Sequence, residues 1–237
     1  MHRGKLSSEE FEILRQFDTC TLSNVIDLLN LRPRNEGFVS GTAVCRFPSL
    51  PPVLGYAVTG KMRAAMPPIR GQCYYEHPEW WRYLASVPEP RIVVMQDADQ
   101  PPGVGAFFGH VHARICQALG CVAYVTNGAV RDLPGIEQMG FQLFSGSLAV
   151  SHAYAHVADF SGPVELGGLR IVSGDLLHGD LHGVHSIPLE FVRDFPAAAR
   201  RLREQERELF ELCAGRDFSV DGLAAVLEGK AEMQLCD

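Results

Sequence analysis

"RIVVMQDADQPPGVGAFFGHVHARICQALGCVAYVTNG", residues 91–128, reads as two strands around a helix. "RIVVMQ" and "CVAYVTNG" are short apolar runs of strand type. Between them "GAFFGHVHARICQALG" is of helix type, closed by Gly120 as a C-cap. Strand, helix and strand within about forty residues form a βαβ unit with a parallel pair.

Elements on either side follow from the same reasoning. "SSEEFEILRQF" opens with a capping box, Ser7 to Glu10, and places Phe11, Leu14 and Phe17 at helical spacing. "TLSNVIDLLN" reads as a second helix, broken by "RPRNEG". "GTAVCRF" and "LGYAVTGKM" read as strands. "MPPIRGQCYYEHPEWWRYLASVPEP" holds a short helix around Glu79 to Ala85. From Phe141 to Pro188 the pattern is of short strands: "FQLFSGSLAV", "HAYAHVADF", "VELGGLRIV" and "GVHSIP". Leu189 to Gly215 is charged and helical, with Phe195, Leu202 and Leu209 seven apart, a stripe expected to cover another surface. "VDGLAAVLEG" adds one more helix. The order fits one mixed α/β domain with a helical tail.

A glycine-rich entry to a helix, "GVGAFFG", invites a dinucleotide reading. Six residues, "DADQPP", separate it from the preceding strand, whereas a Rossmann turn is tight, and the second strand ends in Asn127 rather than an acid. That reading is rejected. What survives is a helix start with free N–H groups and the positive end of a dipole, suited to a carboxylate or phosphate. His110 and His112, two apart on a helix, face away from each other and do not share a metal there. His152, Tyr154 and His156 share one face if "SHAYAHV" is a strand; a polar or interface face is the plainer reading. The same holds for His178, His182 and His185, while Asp175 and Asp180 read as turn residues.

Arg131 and Asp132 stand side by side in "TNGAVRDLPG". A solvated loop ion pair is the plain reading. The βαβ unit gives the functional one. If the strands are parallel, the helix near Gly109 starts at the sheet edge where "CVAYV" ends, and ligands of such sheets bind at that edge. An arginine fork plus free N–H groups makes a carboxylate site, and an aspartate beside it can hold a hard divalent cation. No lysine lies near "GAVRD", so a Schiff-base route has no candidate there.

The run "GHVHARICQALGCVAYVTNGAVRDLPGIEQMGFQLFSGS" through "GPVELGGLRIVSGDLLHGDLHGVHSIP" resembles the family joining the regulator of ribonuclease E activity A (RraA) with class II 4-hydroxy-4-methyl-2-oxoglutarate aldolases. The resemblance covers roughly Gly55 to Pro188. It implies an α/β, three-layer β/β/α fold of the swivelling-domain type, here with helical N- and C-terminal extensions: residues 1–188 as the family unit, 189–237 as a helical extension. It implies trimers or hexamers with active sites at subunit interfaces. It also implies a lyase that cleaves 4-hydroxy-2-oxo acids to release pyruvate, or decarboxylates oxaloacetate, with Mg²⁺ or Mn²⁺. Arg131 matches the arginine that holds the pyruvate moiety, and Asp132 the metal anchor. The amides of Gly109, His110, Val111 and His112 match the rest of the carboxylate site. One departure stands out. His110, 21 residues before Arg131, occupies the place of a family Glu or Asp, and an imidazole brings no negative charge. Asn127 stands where many members have Asp. A metal-bound hydroxide or His110 is the expected base. The alternative is a non-catalytic, RraA-like binding protein.

Composition narrows the classes further. The chain has 237 residues, 46% hydrophobic and 21% charged, with net charge −7. That balance belongs to a folded chain and argues against a broad nucleic-acid surface. Seven cysteines at 20, 45, 73, 116, 121, 213 and 236, with no C-x-x-C, read as free thiols of a reducing compartment. The opening "MHRGKLSSEE" lacks an apolar leader, and no apolar run approaches a membrane span, so a cytoplasmic location is expected.

Overall fold

A computed structural model describes residues 6–68 and 78–234. The stretch 69–77, with Cys73, and the last three residues, with Cys236, lie outside the described residues. The central sheet runs β1 (Val44–Cys45), β7 (Gln142–Ser145), β5 (Cys121–Thr126), β3 (Arg91–Asp97), β2 (Val53–Arg63), β12 (Leu176–Asp180) and β13 (Gly183–Ile187), with β9 (His156–Phe160) also pairing with β2. Pairs β2–β3, β3–β5 and β5–β7 are parallel, as the βαβ reading requires.

Alternate residues of a strand face opposite sides. Tyr56, Val58, Val93, Met95 and Tyr124 face one core; Ala57, Ile92, Val94, Ala123 and Val125 face another. The first core is closed by helices. These are α1 (Ser8–Leu14), α2 (Thr19–Leu28), α3 (Pro78–Ser86), α4 (His110–Ala118), α5 (Leu133–Glu137) and the first half of α6 (Phe195–Ala214). The second core is closed by the hairpin of β10 (Val164–Leu166) and β11 (Leu169–Ile171), whose Val164, Leu166, Leu169 and Ile171 point into it. Hairpin, sheet and helices are the three layers expected of a β/β/α fold.

The capping box forms as read: Ser7 Oγ accepts from the Glu10 amide and Glu10 Oε2 from the Ser7 amide. The final helix, α7 (Val220–Gln234), is also present. The stripe on α6 corrects the sequence reading. Phe195 is fully buried in the chain's own core and Leu202 packs against that core, so they do not serve another surface. Arg203 lies 4.7 Å above the Phe17 ring, which ties α6 to the N-terminal helices. Among the described residues Cys20, Cys45, Cys116, Cys121 and Cys213 are free thiols, and no helix is long and apolar enough to cross a membrane.

Three strand predictions need correction. Ala106–Phe108 is a strand, β4, so the helix begins only at His110. "FQLFSGSLAV" is two strands in two sheets, β7 and β8 (Ser147–Leu148), split at Gly146. A Cβ at Gly146 would stand 2.2 Å from the Asn127 carbonyl oxygen, so the chain can pass there only as glycine. "HAYAHVADF" becomes a strand only at His156, because Ala153 takes a left-handed turn (φ +48°). His152, Tyr154 and His156 therefore share no strand face.

β4, β6 (Ala129–Val130) and β8 form a second, parallel sheet. Each continues a strand of the main sheet after a break: β3 into β4, β5 into β6, β7 into β8. The order is kept, so the carboxyl edge of the main sheet is extended by a smaller one.

β12 and β13 carry a buried histidine pair. His178 and His185 are cross-strand partners with ring centroids 5.5 Å apart. Beside them Asp180 is no mere turn residue: it accepts from the amide and hydroxyl of Thr19, at the start of α2, at 2.8 and 2.7 Å. Asp175 is the turn residue expected, accepting from the Val172 amide. Burial pushes the His178 ring down to about 4, partly offset by Asp180 and Asp18. Burial, with His178 and Arg32 nearby, pushes His185 well below its ordinary value. Both rings are neutral in the fold and protonate more readily when unfolded. Stability is then complete above the unfolded value of about 6.5 and is lost as pH falls through that value towards 4. Denaturant titrations at pH 7.5 and 5.0 are expected to show the loss, with His178 alone contributing about 2 kcal/mol, absent in His178→Leu.

Candidate functional site

The smaller sheet ends in three consecutive departures. β4 runs through Gly109 into α4. β6 runs through Arg131 and Asp132 into α5. β8 leads to a turn at His152. The Arg131 amide still bonds the Phe108 carbonyl at 3.0 Å, so the first two exits are held in register. The sequence-based convergence of Gly109 and Arg131 is thus found, but on short strands two or three residues long rather than on the main sheet.

Asp132 is the joint. Its backbone is left-handed, φ +61° and ψ +33°, a conformation that aspartate tolerates better than most residues. That turn brings Oδ2 to 3.2 Å from the His110 amide at the start of α4. Oδ1 lies 3.2 Å from Nε of Arg131. Burial raises this carboxyl, but the His110 amide and the Arg131 guanidinium together outweigh it and hold it below its ordinary value. Gly109 makes the approach possible, since a Cβ there would stand 2.6 Å from Oδ2. Arg131 and Asp132 are both partly exposed, so the pair opens to solvent.

The two histidines of "HVH" part company as their spacing requires. The His110 ring lies against Gly135, where a Cβ would come 2.8 Å from Nδ1, and its Nε2 accepts from Arg114 Nε at 3.4 Å. His112 is buried, its ring 4.7 Å from that of Phe107, and burial with His152 nearby pushes it down to about 3. Its side chain is core; only its backbone amide belongs to the helix start, together with that of exposed Val111. Asn127 is structural: its side chain accepts from the Asp97 amide at 2.7 Å and donates to the Asp97 carbonyl at 3.0 Å.

His152, which the sequence set on a strand face with Tyr154 and His156, sits instead in the turn after β8, with Nδ1 2.6 Å from the Ala106 carbonyl oxygen. No period in the sequence reveals a residue in a turn.

Among the described residues no group of three or more His, Cys, Asp or Glu side chains is arranged to hold a metal. The donor set at the joint is one carboxylate. A Mg²⁺ or Mn²⁺ ion that keeps most of its water fits one carboxylate; a structural zinc, which needs about four protein donors, does not. A cavity of about 500 Å³ lies at the opposite, amino ends of the main strands, lined by Arg15, Glu89, Gln117 and Gln142 among others, away from Arg131.

If Gly109 gives Asp132 its place, Gly109→Ala breaks the bond to the His110 amide. The carboxyl of Asp132, followed by carbon-detected NMR titration, is then expected to rise towards its ordinary value of about 3.9. An unchanged titration would refute the joint.

A chain described as a "Putative 4-hydroxy-4-methyl-2-oxoglutarate aldolase" from Halalkalibacterium halodurans is 31% identical over 75 residues, 31% of this chain and 36% of that one. The match thus spans about a third of that relative. Among solved structures, one described among "novel cellulases from microbes associated with the gut ecosystem" superposes with TM-score 0.70 at 20% identity, over 86% of this chain and 88% of the other. An unusual member of the RNase ES inhibitor RraA family from Streptomyces coelicolor superposes with TM-score 0.66 at 20% identity, over 88% and 98%. At that identity both speak for the fold alone. The RraA-like family model, described as Aldolase/RraA, matches residues 19–185, which covers every strand of both sheets but the end of β13, and the chain belongs to the RraA-like family.

Proposed function

We propose that the protein is a divalent-metal-dependent carbon–carbon lyase that releases pyruvate from a 4-hydroxy-2-oxo acid, or decarboxylates oxaloacetate. The observation that carries this reading is the joint at Asp132, which gathers a guanidinium, a carboxylate and a helix N-terminus at one open edge. Arg131 binds the substrate carboxylate through its planar fork. The amides of Gly109, Val111 and His112, at the positive end of α4, complete that subsite, while that of His110 is engaged by Asp132. As the C–C bond breaks, charge gathers on the 2-oxo oxygen, and these fixed donors stabilise it. A Mg²⁺ or Mn²⁺ ion, held by Asp132 and water, supplies Lewis-acid polarisation of the same group when bound. The His110 side chain, where the related aldolases are expected to carry an acid, lowers the site's negative charge and with it the affinity for Mg²⁺.

Val111, Leu148, Val150 and Tyr154 are exposed around this edge. This apolar rim supports a homotrimer or homohexamer with the site at the contact between copies. Residues 1–188 carry the chemistry and 189–237 form a helical extension. The free thiols support a reducing, cytoplasmic setting.

Pyruvate release from oxaloacetate and from 4-hydroxy-2-oxo acids, with Mg²⁺ or Mn²⁺ added, tests the reading. Arg131→Lys is expected to lose about a hundredfold in kcat/KM, because an ammonium cannot reproduce the two-pronged bond. Asp132→Asn keeps the backbone turn and is expected to abolish the response to metal. Full turnover in Arg131→Lys sinks the assignment; a wild-type protein that releases no pyruvate favours the non-catalytic binding protein instead.

A further inference from the structure

α6 presents two stripes. One turns Phe195, Ala198 and Ala199 into the body, with Leu202 packed beside them, and its later members Leu209 and Leu212 are half-buried. Leu212 meets the start of α7, where a Cβ at Gly222 would stand 3.7 Å from its side chain. The other stripe holds Arg203, Glu206, Arg207, Phe210, Cys213 and Ala214, set three or four apart. Arg203 is taken up by the Phe17 ring. Two turns on, the stripe is open: Phe210 is 65% exposed, and Glu206, Arg207, Cys213 and Ala214 are exposed too. α7 adds Val220 and Leu227, seven apart on one face and both exposed. Large apolar side chains thus stand in solvent on an extension of two helices, although a helix in a protein owes most of its stability to packing.

The charge along the helix says what covers the open stripe. Residues 200–207 hold four arginines and two glutamates, whereas residues 208–217 hold two glutamates, one aspartate and one arginine. The first half is basic and the second acidic. A parallel copy of the helix sets like charge on like. An antiparallel copy sets opposite charges together and aligns the two helix dipoles head to tail. With a twofold axis at Phe210 the two rings meet. Arg207 of each copy then lies about 3 Å along the helix from Glu211 of the other, on the same flank. Within one chain Arg207 and Glu211 already pair at 3.7 Å, both well exposed. Between two copies the same residues form a network of four charges.

We infer that this stripe of α6 docks a second copy of the chain, antiparallel about a twofold axis at Phe210. Such a contact is self-complementary: the same residues serve on both sides, and it closes after two copies. It is separate from the apolar rim beside Arg131 and does not depend on the lyase reading. The whole assembly therefore has an even number of copies, whether or not copies also meet at that rim.

Light scattering on the wild-type protein and on Phe210→Glu tests the contact, with circular dichroism to check that the variant is folded. The wild-type mass is expected to be an even multiple of the chain mass, and the variant's to be half of it. Equal masses overturn the proposal, as does a wild-type monomer or an odd-numbered assembly. Orientation is tested with oxidised glutathione, added to the wild-type protein and to Phe210→Cys in a Cys213→Ser background. About the proposed axis the two copies of residue 210 face each other. The two Cys213 are six residues, about 9 Å, apart along the helices, too far for a disulfide. The variant is expected to cross-link as a dimer and wild-type Cys213 not to. A Cys213–Cys213 bond in the wild-type protein, or no bond in the variant, overturns the antiparallel contact. Arg207→Glu and Glu211→Arg are each expected to weaken pairing at least about tenfold in sedimentation equilibrium, and the protein with both exchanges to recover to within about threefold of wild type. No recovery overturns the charge pairing and the axis that rests on it.

Discussion

The side chain of Asn127 completes a ladder step that the backbone cannot make. Its amide oxygen accepts from the Asp97 amide and its nitrogen donates to the Asp97 carbonyl, so one residue mimics a strand partner where β5 ends. Asp97 in turn accepts from the amides of Asp99 and Gly103 and steadies the long loop that leads to β4. Gly128 lets the chain pass, since a Cβ there would meet Asp97 at 2.8 Å. The main sheet can stop and a smaller one can start in the same order only because this seam satisfies the polar groups at the break. The functional edge lies beyond it.

Beyond the seam, charge is distributed with little redundancy. One carboxylate serves both the guanidinium and the helix start, so the three cannot move independently. Burial alone would raise that carboxyl; two hydrogen bonds reverse the outcome. The surrounding histidines differ in environment rather than in kind. One ring is packed among aromatic rings in the core, one leans on its own helix, and one is held by a carbonyl in a turn. Their chemistry follows from those surroundings.

Much of this was legible in the residues. The capping box at Ser7, the helices of both termini, the parallel pair around residues 91–128 and the meeting of Gly109 with Arg131 all follow from local pattern and the rules of parallel sheets. Short strands escaped. Two or three residues, as in Ala106–Phe108 or Ser147–Leu148, carry no readable period, and their pairing is set by glycines that permit close passage. Asp180 makes the turn bond expected of it, accepting from the His182 amide, but its second task is hidden because that partner, Thr19, is 161 positions away. The alternation in "SHAYAHV" misled because Ala153 turns left-handed, which alanine rarely does. The place of His152 depends on that turn, so it could not be read from spacing.

The left-handed backbone at Asp132 limits how this protein can vary. Most side chains there would cost about 1–2 kcal/mol through clash with the following carbonyl, whereas asparagine and glycine enter that conformation readily. Asparagine or glycine at this point would keep the backbone turn and discard the negative charge, so the charge of the joint and the course of the chain through it are set by separate properties of one residue.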